Sequence, residues 1–518
     1  MNGTKPYTLK IVKGPKASGY SDAGASHVKR ALKAFVANSR SAVEDIDMNN
    51  MTMRQRGRML YMASPVAAGA INTQRTKVVG PGLYMRPAVD RQILGLTDEE
   101  AERWTARTKA EFSLWAENKY ACDVQGMNNL YALQQLALKS MLMSGDTFAV
   151  LHHEEPTQLL PYGLRVQLIE ADRVSTPSEA GAFGLQTLTE GETKDGNKIH
   201  DGVEVNDVGR VVAYHICSHY PAAGILTGKE SVEWTPVPAV GAETGLPNVL
   251  HVMTPERPEQ YRGVTYLAPV IETLLQLRRY TESELVAAII QSYLTAWITT
   301  QTDPTEIPFD EVGDGDVDGA ENGKSVEVRS GVSDSENEYE MGPGQVTHLQ
   351  PGENITFGNP NIPTAGFDVF VRAICRVAGA GLELPYDVLM KEYNSSYSAA
   401  KGALEDAWTM LRMVRKWFID DFCQPLYEVW LAEAVARGRI QAPGFFTDPL
   451  LRRAWSGAVW DGPAQIHLDP LKESKANEVA VSHGWKTNAQ VTRENYGGDW
   501  RENVKQIQAE NDFAGPGE

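Results

Sequence analysis

Between Ser398 and Arg437 apolar residues return every three or four positions, with Ala400, Leu404, Trp408, Leu411, Phe418 and Phe422 on one stripe. Gly438 stands where a C-terminal helix stop belongs, and Pro425 is expected to kink the helix within its length. A helix of about 40 residues is too long for one small domain. The expectation is an element that spans an assembly.

The rest of the chain is compatible with that. Its 518 residues exceed what one hydrophobic core organises, since single cores stop growing at roughly 250–300 residues. Hydrophobic content of 42% and charged content of 22% are globular values, which excludes fibrous and wholly disordered classes. The most apolar run, Leu285 to Ile298, is interrupted by Gln291 and Ser292 and falls short of a membrane span. The opening MNGTKPYTLKIVKGPK lacks the apolar core of a secretory signal, so synthesis and assembly in the cytoplasm are expected. Cys122, Cys217, Cys375 and Cys423 are widely spaced and read as reduced, partly buried thiols. A net charge of −18 argues against a protein that grips nucleic acid by neutralising phosphates. It does not exclude a wall past which a duplex slides, since acidic surface with sparse cations repels DNA weakly, and composition fits an ordinary acidic protein as well.

Residues 1–50 read as a loosely held arm carrying a short helix around His27 to Val36. From Met51 to Ala149 the pattern is helical, and Thr97 with Glu100 three residues later marks a capped helix start. Trp104, Phe112, Trp115, Leu130, Leu133, Leu136 and Leu142 are its core faces. Between Thr147 and Met253 the period changes to two, with turns at Asp195-Gly196 and Asp201-Gly202, so a β-rich domain is expected. A second long helix is predicted from Leu267 to Thr299. Thr300 to Ile362 is acidic and glycine-rich, and over Glu306 to Glu340 twelve carboxylates face only Lys324 and Arg329. Helical spacing returns at Phe367, Phe370, Ile374 and Ala378 and is expected to stop at Gly379-Ala380-Gly381. A loop around Met390 to Ser396 follows, and beyond Gly438 the chain is mostly polar.

Motifs for chemistry are sparse. Gly14 and Gly19 have phosphate-loop spacing, but Tyr20 occupies the position of the lysine. Asp314, Asp316 and Asp318 with Gly319 match the first half of a calcium loop, but Ser325 replaces the closing glutamate. His152 and His153 are neighbours on a predicted strand and point to opposite faces, so one metal ion does not take both. No metal, cofactor or catalytic residue is assigned, and no enzyme is expected.

The element order, with helical region, β domain, long helix, acidic insert, short helix, loop and very long helix, resembles the portal fold of tailed phages. Five phrases sharpen the resemblance to the lambda-type portal family. They are Met53-Arg-Gln-Arg-Gly-Arg58 through Ser64-Pro65-Val66 to Gly80-Pro-Gly82, Ile169-Glu-Ala-Asp172-Arg, Pro255-Glu-Arg-Pro-Glu-Gln-Tyr-Arg-Gly263, Leu384-Pro385-Tyr386 with Asn394-Ser-Ser-Tyr397, and Leu468-Asp469-Pro470-Leu-Lys472-Glu473. The arm before Met51 and the acidic insert match least.

The resemblance implies an α+β fold. Its parts would be an arm over 1–50, a wing over 51–266, a stem helix over 267–299, a clip over 300–363 and a second stem helix over 364–381. A tunnel-loop region over 382–397, a long wing helix over 398–440 and a crown with C-terminal tail over 441–518 complete it. It implies a homo-oligomeric ring of twelve subunits at one capsid vertex, a heterologous interface that closes. Double-stranded DNA would pass through during packaging and ejection. The implied partners are terminase, the major capsid protein and scaffold, and later head-completion or tail-connector proteins, with no membrane involved. The protein would assemble in the host bacterial cytoplasm and reside in the virion. Lys391, Glu392, Tyr393, Asn394, Ser395, Ser396 and Tyr397 would form the tunnel loop, with Lys391 facing phosphates. Asp310, Glu311, Asp314, Asp316, Asp318, Glu336, Glu338 and Glu340 would be the docking surface of the clip. Read from the residues alone, the acidic insert is equally a solvated loop, and the loop at Lys391 equally packs loop against loop. Another ring-forming connector, or a hydrolase with scattered carboxylates and histidines, also stays open.

Overall fold

A computed structural model of the chain describes residues 24–26, 29–35, 37–177, 190–221, 232–292, 296–300, 353–357, 366–393, 396–465 and 469–514. Two compact units result, Met1–Leu274 with Cys375–Glu518 as one and Leu275–Ile374 as the other.

The first unit opens on helices, later than predicted in one place and earlier in another. Residues 29–35 form turns rather than a helix, closed by the Leu32 and Lys33 N–H groups donating to the Lys29 carbonyl at 2.9 Å. Helix α1 (Ala42–Ala63) then starts ahead of Met51, because Ser41 and Glu44 close a capping box. The Glu44 carboxylate accepts from the Ser41 N–H at 2.9 Å and the Ser41 hydroxyl accepts from the Glu44 N–H at 3.2 Å, which satisfies donors that a helix start leaves orphaned. Ser64 caps α2 (Pro65–Val78), where Pro65 has no N–H to orphan. Strand β1 (Tyr84–Pro87) leads to α3 (Asp98–Ala116), whose cap is the predicted Thr97–Glu100 box, and to α4 (Leu130–Ser144).

The β-rich region is two antiparallel sheets. The strands are β2 (Asp146–His153), β3 (Leu164–Glu170), β4 (Glu190–Glu192), β5 (Lys198–His200), β6 (Val203–Val205), β7 (Val211–Cys217), β8 (Trp234–Pro238) and β9 (Val249–Met253). One sheet has the order β3-β2-β9 and the other runs β4-β5-β6-β7-β8. The predicted turns join β4 to β5 and β5 to β6. Gly202 takes φ +87°, and a Cβ there would lie 2.4 Å from the Ser175 nitrogen, so the turn needs glycine. Phe148, Ile169, Val174, Val203, Tyr214 and Val249 form the shared core of the two sheets.

Helix α5 (Ile271–Ser292) is shorter than the predicted Leu267 to Thr299, since a 3-10 turn precedes it and β10 (Ala296–Thr300) follows. Ile298, Thr299 and Thr300 are β-branched, which favours a strand over a further helical turn. β10 pairs antiparallel with β11 (Glu353–Phe357), placing Ala296 opposite Phe357 and Thr300 opposite Glu353. In this second unit the Tyr280 ring stacks on Phe367 at 5.6 Å and meets Phe370 edge-on at 4.8 Å. Helix α6 (Phe367–Gly381) ends at the last residue of the predicted stop, Gly379 to Gly381.

In the first unit the chain continues through α7 (Tyr386–Met390) and α8 (Tyr397–Phe418), a π-helical turn at Ile419–Cys423, and α9 (Gln424–Ala436). The long helical run is therefore present, and its irregularity is the π turn just before Pro425. The proline sits in the first turn of α9, where a missing N–H costs little. Gly438 takes φ +69° beyond the end. After α10 (Pro449–Trp455) comes β12 (Ala458–Asp461), then α11 (Pro470–Ser482) and α12 (Trp500–Ala514). β12 returns to pair antiparallel with β1, Trp460 opposite Met85. That pairing was not visible in the sequence. It brings Trp460 to Phe112 at 6.3 Å, in a cluster where Phe112 also meets Trp430 at 5.0 Å and Tyr427 at 5.7 Å. All four cysteines are free and buried.

Candidate functional site

The loop at Lys391 is built by its neighbours. Gly379 in α6 lets the chain fold back, because a Cβ there would lie 2.5 Å from the Leu384 carbonyl oxygen. The Leu384 N–H donates to the Gly379 carbonyl at 2.9 Å, and Leu382, Leu384, Val388 and Leu389 are buried, so the phrase Leu384-Pro385-Tyr386 is an anchor. α7 ends with Lys391 in the left-handed region at φ 57°, its N–H bonded to the Asp387 carbonyl. The Tyr386 hydroxyl donates to the Glu392 carboxylate at 2.7 Å and ties that acid inward. The Ser396 hydroxyl caps α8 by accepting from the Ala399 N–H.

The predicted tunnel-loop residues therefore divide. Glu392 and Ser396 have structural partners, whereas Lys391 is exposed and Tyr393 and Tyr397 are each 48% exposed. The Lys472 ammonium lies 5.8 Å over the Tyr397 ring. Asn394 and Ser395 lie outside the described residues. So do Asp310, Glu311, Asp314, Asp316, Asp318, Glu336, Glu338 and Glu340, with the calcium-like run and the segment Gly14 to Ser21.

Positive charge gathers around Lys391. Burial, and then the Lys391 ammonium, lower the pKa of Lys77 at the end of α2. Arg415 of α8 donates to the carbonyls of Lys77 at 2.7 Å, Val78 at 2.8 Å and Pro463 at 3.0 Å. Burial and the neighbouring Arg412 lower it to about 10. A cleft of about 600 Å³ has Arg376, Glu383, Tyr386, Asp406 and Met413 in its lining. Among the described residues the arrangement presents cations and aromatic faces.

A second constellation was missed by sequence reasoning although three of the five phrases meet in it. Arg262 is fully buried and binds Asp146 through two bonds, Nε to Oδ2 at 2.7 Å and Nη2 to Oδ1 at 3.1 Å. It also donates to the carbonyls of Ala171 at 2.8 Å and Val174 at 2.9 Å and pairs with Asp201 at 2.8 Å. Arg54 pairs with Asp201, and Arg58 with Asp172 and, at 3.1 Å, with Glu170. Burial pushes the Asp146 carboxyl up, but Arg262 and hydrogen bonds from His251 and Arg262 outweigh it and hold it well below the usual carboxylate range. Backbones touch here as well, since a Cβ on Gly263 would lie 2.0 Å from the Gly145 carbonyl oxygen. The only signal was the co-occurrence of arginine, aspartate and glycine in those phrases. Among the described residues no three His, Cys, Asp or Glu side chains are placed to hold a metal ion. His152 is exposed and bonded to Gln167 at 2.9 Å.

The chain is similar to known proteins. The sequence profile of phage portal proteins of the lambda family matches residues 29–415. Portal protein B of Escherichia phage lambda is 23% identical over 432 residues, covering 81% of this chain and 76% of that protein. The portal protein of Escherichia phage N15 is 22% identical over 432 residues, with the same 81% and 76% coverage. Among solved structures, a chain of the virion of a native gene transfer agent particle is similar at a TM-score of 0.41 and 11% identity, over 86% of this chain and 92% of that one. The sequence matches define a class, the portal proteins, which are structural components of phage-like particles and not catalysts. Within that class the chain belongs to the lambda family of phage portal proteins. No helix among the described residues is long and apolar enough to cross a membrane.

Proposed function

We propose that the chain is the subunit of a closed ring, twelve copies at one capsid vertex, through whose bore double-stranded DNA is packaged and later ejected. Terminase docks on the acidic insert Thr300 to Ile362 and drives the DNA inward. Head-completion or tail-connector proteins then take over that surface, while the major capsid protein and scaffold seat the ring during assembly in the host cytoplasm. The observation that carries the reading is the family match over residues 29–415, together with an exposed cation and two half-exposed tyrosines between the end of α7 and the first residue of α8. Ring formation is supported by the second unit, where Leu285, Val286 and Ile289 of α5 and Val369 and Phe370 of α6 are exposed. Such apolar surface is costly to leave in water.

At the loop a single screened attraction between Lys391 and phosphate is worth at most about 1 kcal/mol. Repeated around a ring, it grips DNA without trapping it. Replacing Lys391 to Ser395 with a short Gly-Ser linker is expected to leave ring yield and thermal stability nearly unchanged while packaged DNA length or retention falls. Ring yield is read by electron microscopy and packaging by nuclease-protected DNA in assembled heads. Loss of rings would make the loop structural, and normal packaging with normal retention would remove it from the mechanism.

A further inference from the structure

The buried ion cluster does not balance. Three carboxylates that are less than a tenth exposed, Asp47, Asp146 and Asp201, face two guanidinium groups that are equally buried, Arg54 and Arg262. The half-buried Arg58 and Asp172 pair with each other at the edge and cancel. His251 of β9 lies 3.4 Å from Asp146. Burial lowers its pKa from the ordinary value, despite the nearby carboxylate, so it is neutral at pH 7. One negative charge is left over in a region that excludes water, and such a charge is expensive.

Orphaned atoms on α1 show where the balance is made. Asp47 Oδ2, Asn50 Oδ1 and Arg54 Nε are buried and have no hydrogen-bond partner. The first two are acceptors three residues apart on one face of α1, and the third is a donor one turn beyond Asn50. Asn50 uses its amide nitrogen elsewhere, donating to the Gly263 carbonyl at 2.9 Å. A proton on Asp47 turns its orphaned oxygen from an acceptor into a donor and cancels the surplus charge.

We propose that this cluster holds one proton in the folded protein, on Asp47, and that the tie between α1 and the β domain is therefore stronger in mild acid than at neutrality. Burial first, and then the Asp201 carboxylate, push Asp47 up to about 7 against the opposing pull of Arg262 and Arg54, while Asp146 adds to the rise. Asp201, Arg262, Arg54 and Asp146 are the charged groups that act on it most, with Asn50 three residues along α1 and His251 bonded to Asp146. Unfolded or detached, Asp47 ionises near its ordinary value of 3.8. Between the two values the open state binds fewer protons, so stability falls as pH rises from about 4 to about 7 and then levels off.

The test is hydrogen exchange of the α1 amides in the full-length chain, corrected for the intrinsic rate, from about pH 5 to about pH 9. In the wild type the opening equilibrium should rise close to tenfold per pH unit up to about pH 7 and then stay flat. Asp47→Asn, which presents a neutral donor in the same shape, should remove the slope and open less than the wild type at pH 8. Asp47→Ser serves the same purpose should the amide not fold. A flat wild-type profile overturns the proposal, as does a slope that survives in either variant. A slope abolished by His251→Asn but kept in Asp47→Asn would place the proton on the histidine and overturn it too.

Discussion

Replacing Arg262 with methionine keeps most of the stem volume and removes the guanidinium. Asp146, whose side chain is 0% exposed, then loses the guanidinium, and the carbonyls of Ala171 and Val174 each lose a donor. Removing one member of a buried pair costs about 3–5 kcal/mol, because the uncompensated charge stays behind. A folded domain has only about 5–15 kcal/mol in hand, so the expected loss is roughly a fifth of the total or more. For a unit of this size the melting temperature should fall on the order of 10 °C. The loss should also resist added salt, since ions do not screen a pair that water does not reach. Asp146→Leu combined with Arg262→Met removes the stranded charge and should recover at least half of the deficit. Scanning calorimetry of the full-length chain at pH 7 measures all three proteins. A deficit below about 1 kcal/mol for Arg262→Met, or a double variant no more stable than the single one, would refute the charge-stranding argument.

Two smaller effects are expected. Thr97→Ala opens the capping box of α3 and should cost about 1 kcal/mol, with the α3 amides exchanging faster and those of α1 unchanged. Asp421, in the π turn between α8 and α9, is raised to about 6 by burial and by Asp420. Its ionised form is disfavoured in the fold, so stability falls as pH rises from about 4 to about 6. Asp421→Asn should therefore melt higher than the wild type at pH 7, by about 1 kcal/mol after allowance for solvent, and no higher at pH 4.

Local rules were legible in the sequence where local physics decides. The Thr97–Glu100 cap, the Asp201-Gly202 turn and the run from Ser398 to Arg437 each depend on side chains within one or two turns of one another, and each is present. The helix predicted to reach Thr299 stops at Ser292 because strand pairing competes with helical period there, and the pairing partner lies at Glu353–Phe357. The loop at Lys391 was visible as a break in periodicity. That Ser396 caps a helix and Glu392 folds back on Tyr386, leaving Lys391 and the two tyrosines exposed, was not.

The family phrases were recognisable from residue order alone, but their meaning came from distance in space. Arg54, Asp172 and Arg262 are separated by a hundred residues or so at each step, and no periodicity links them. Only the folding of α1 against the β domain puts their charges behind one water-excluding surface, where an isolated carboxylate changes its proton affinity and a guanidinium becomes a structural post. Sequence carries the short-range terms, namely caps, turns and apolar period, because they act between neighbours along the chain. Desolvation and charge balance act between neighbours in space, and those neighbours exist only once the chain has folded.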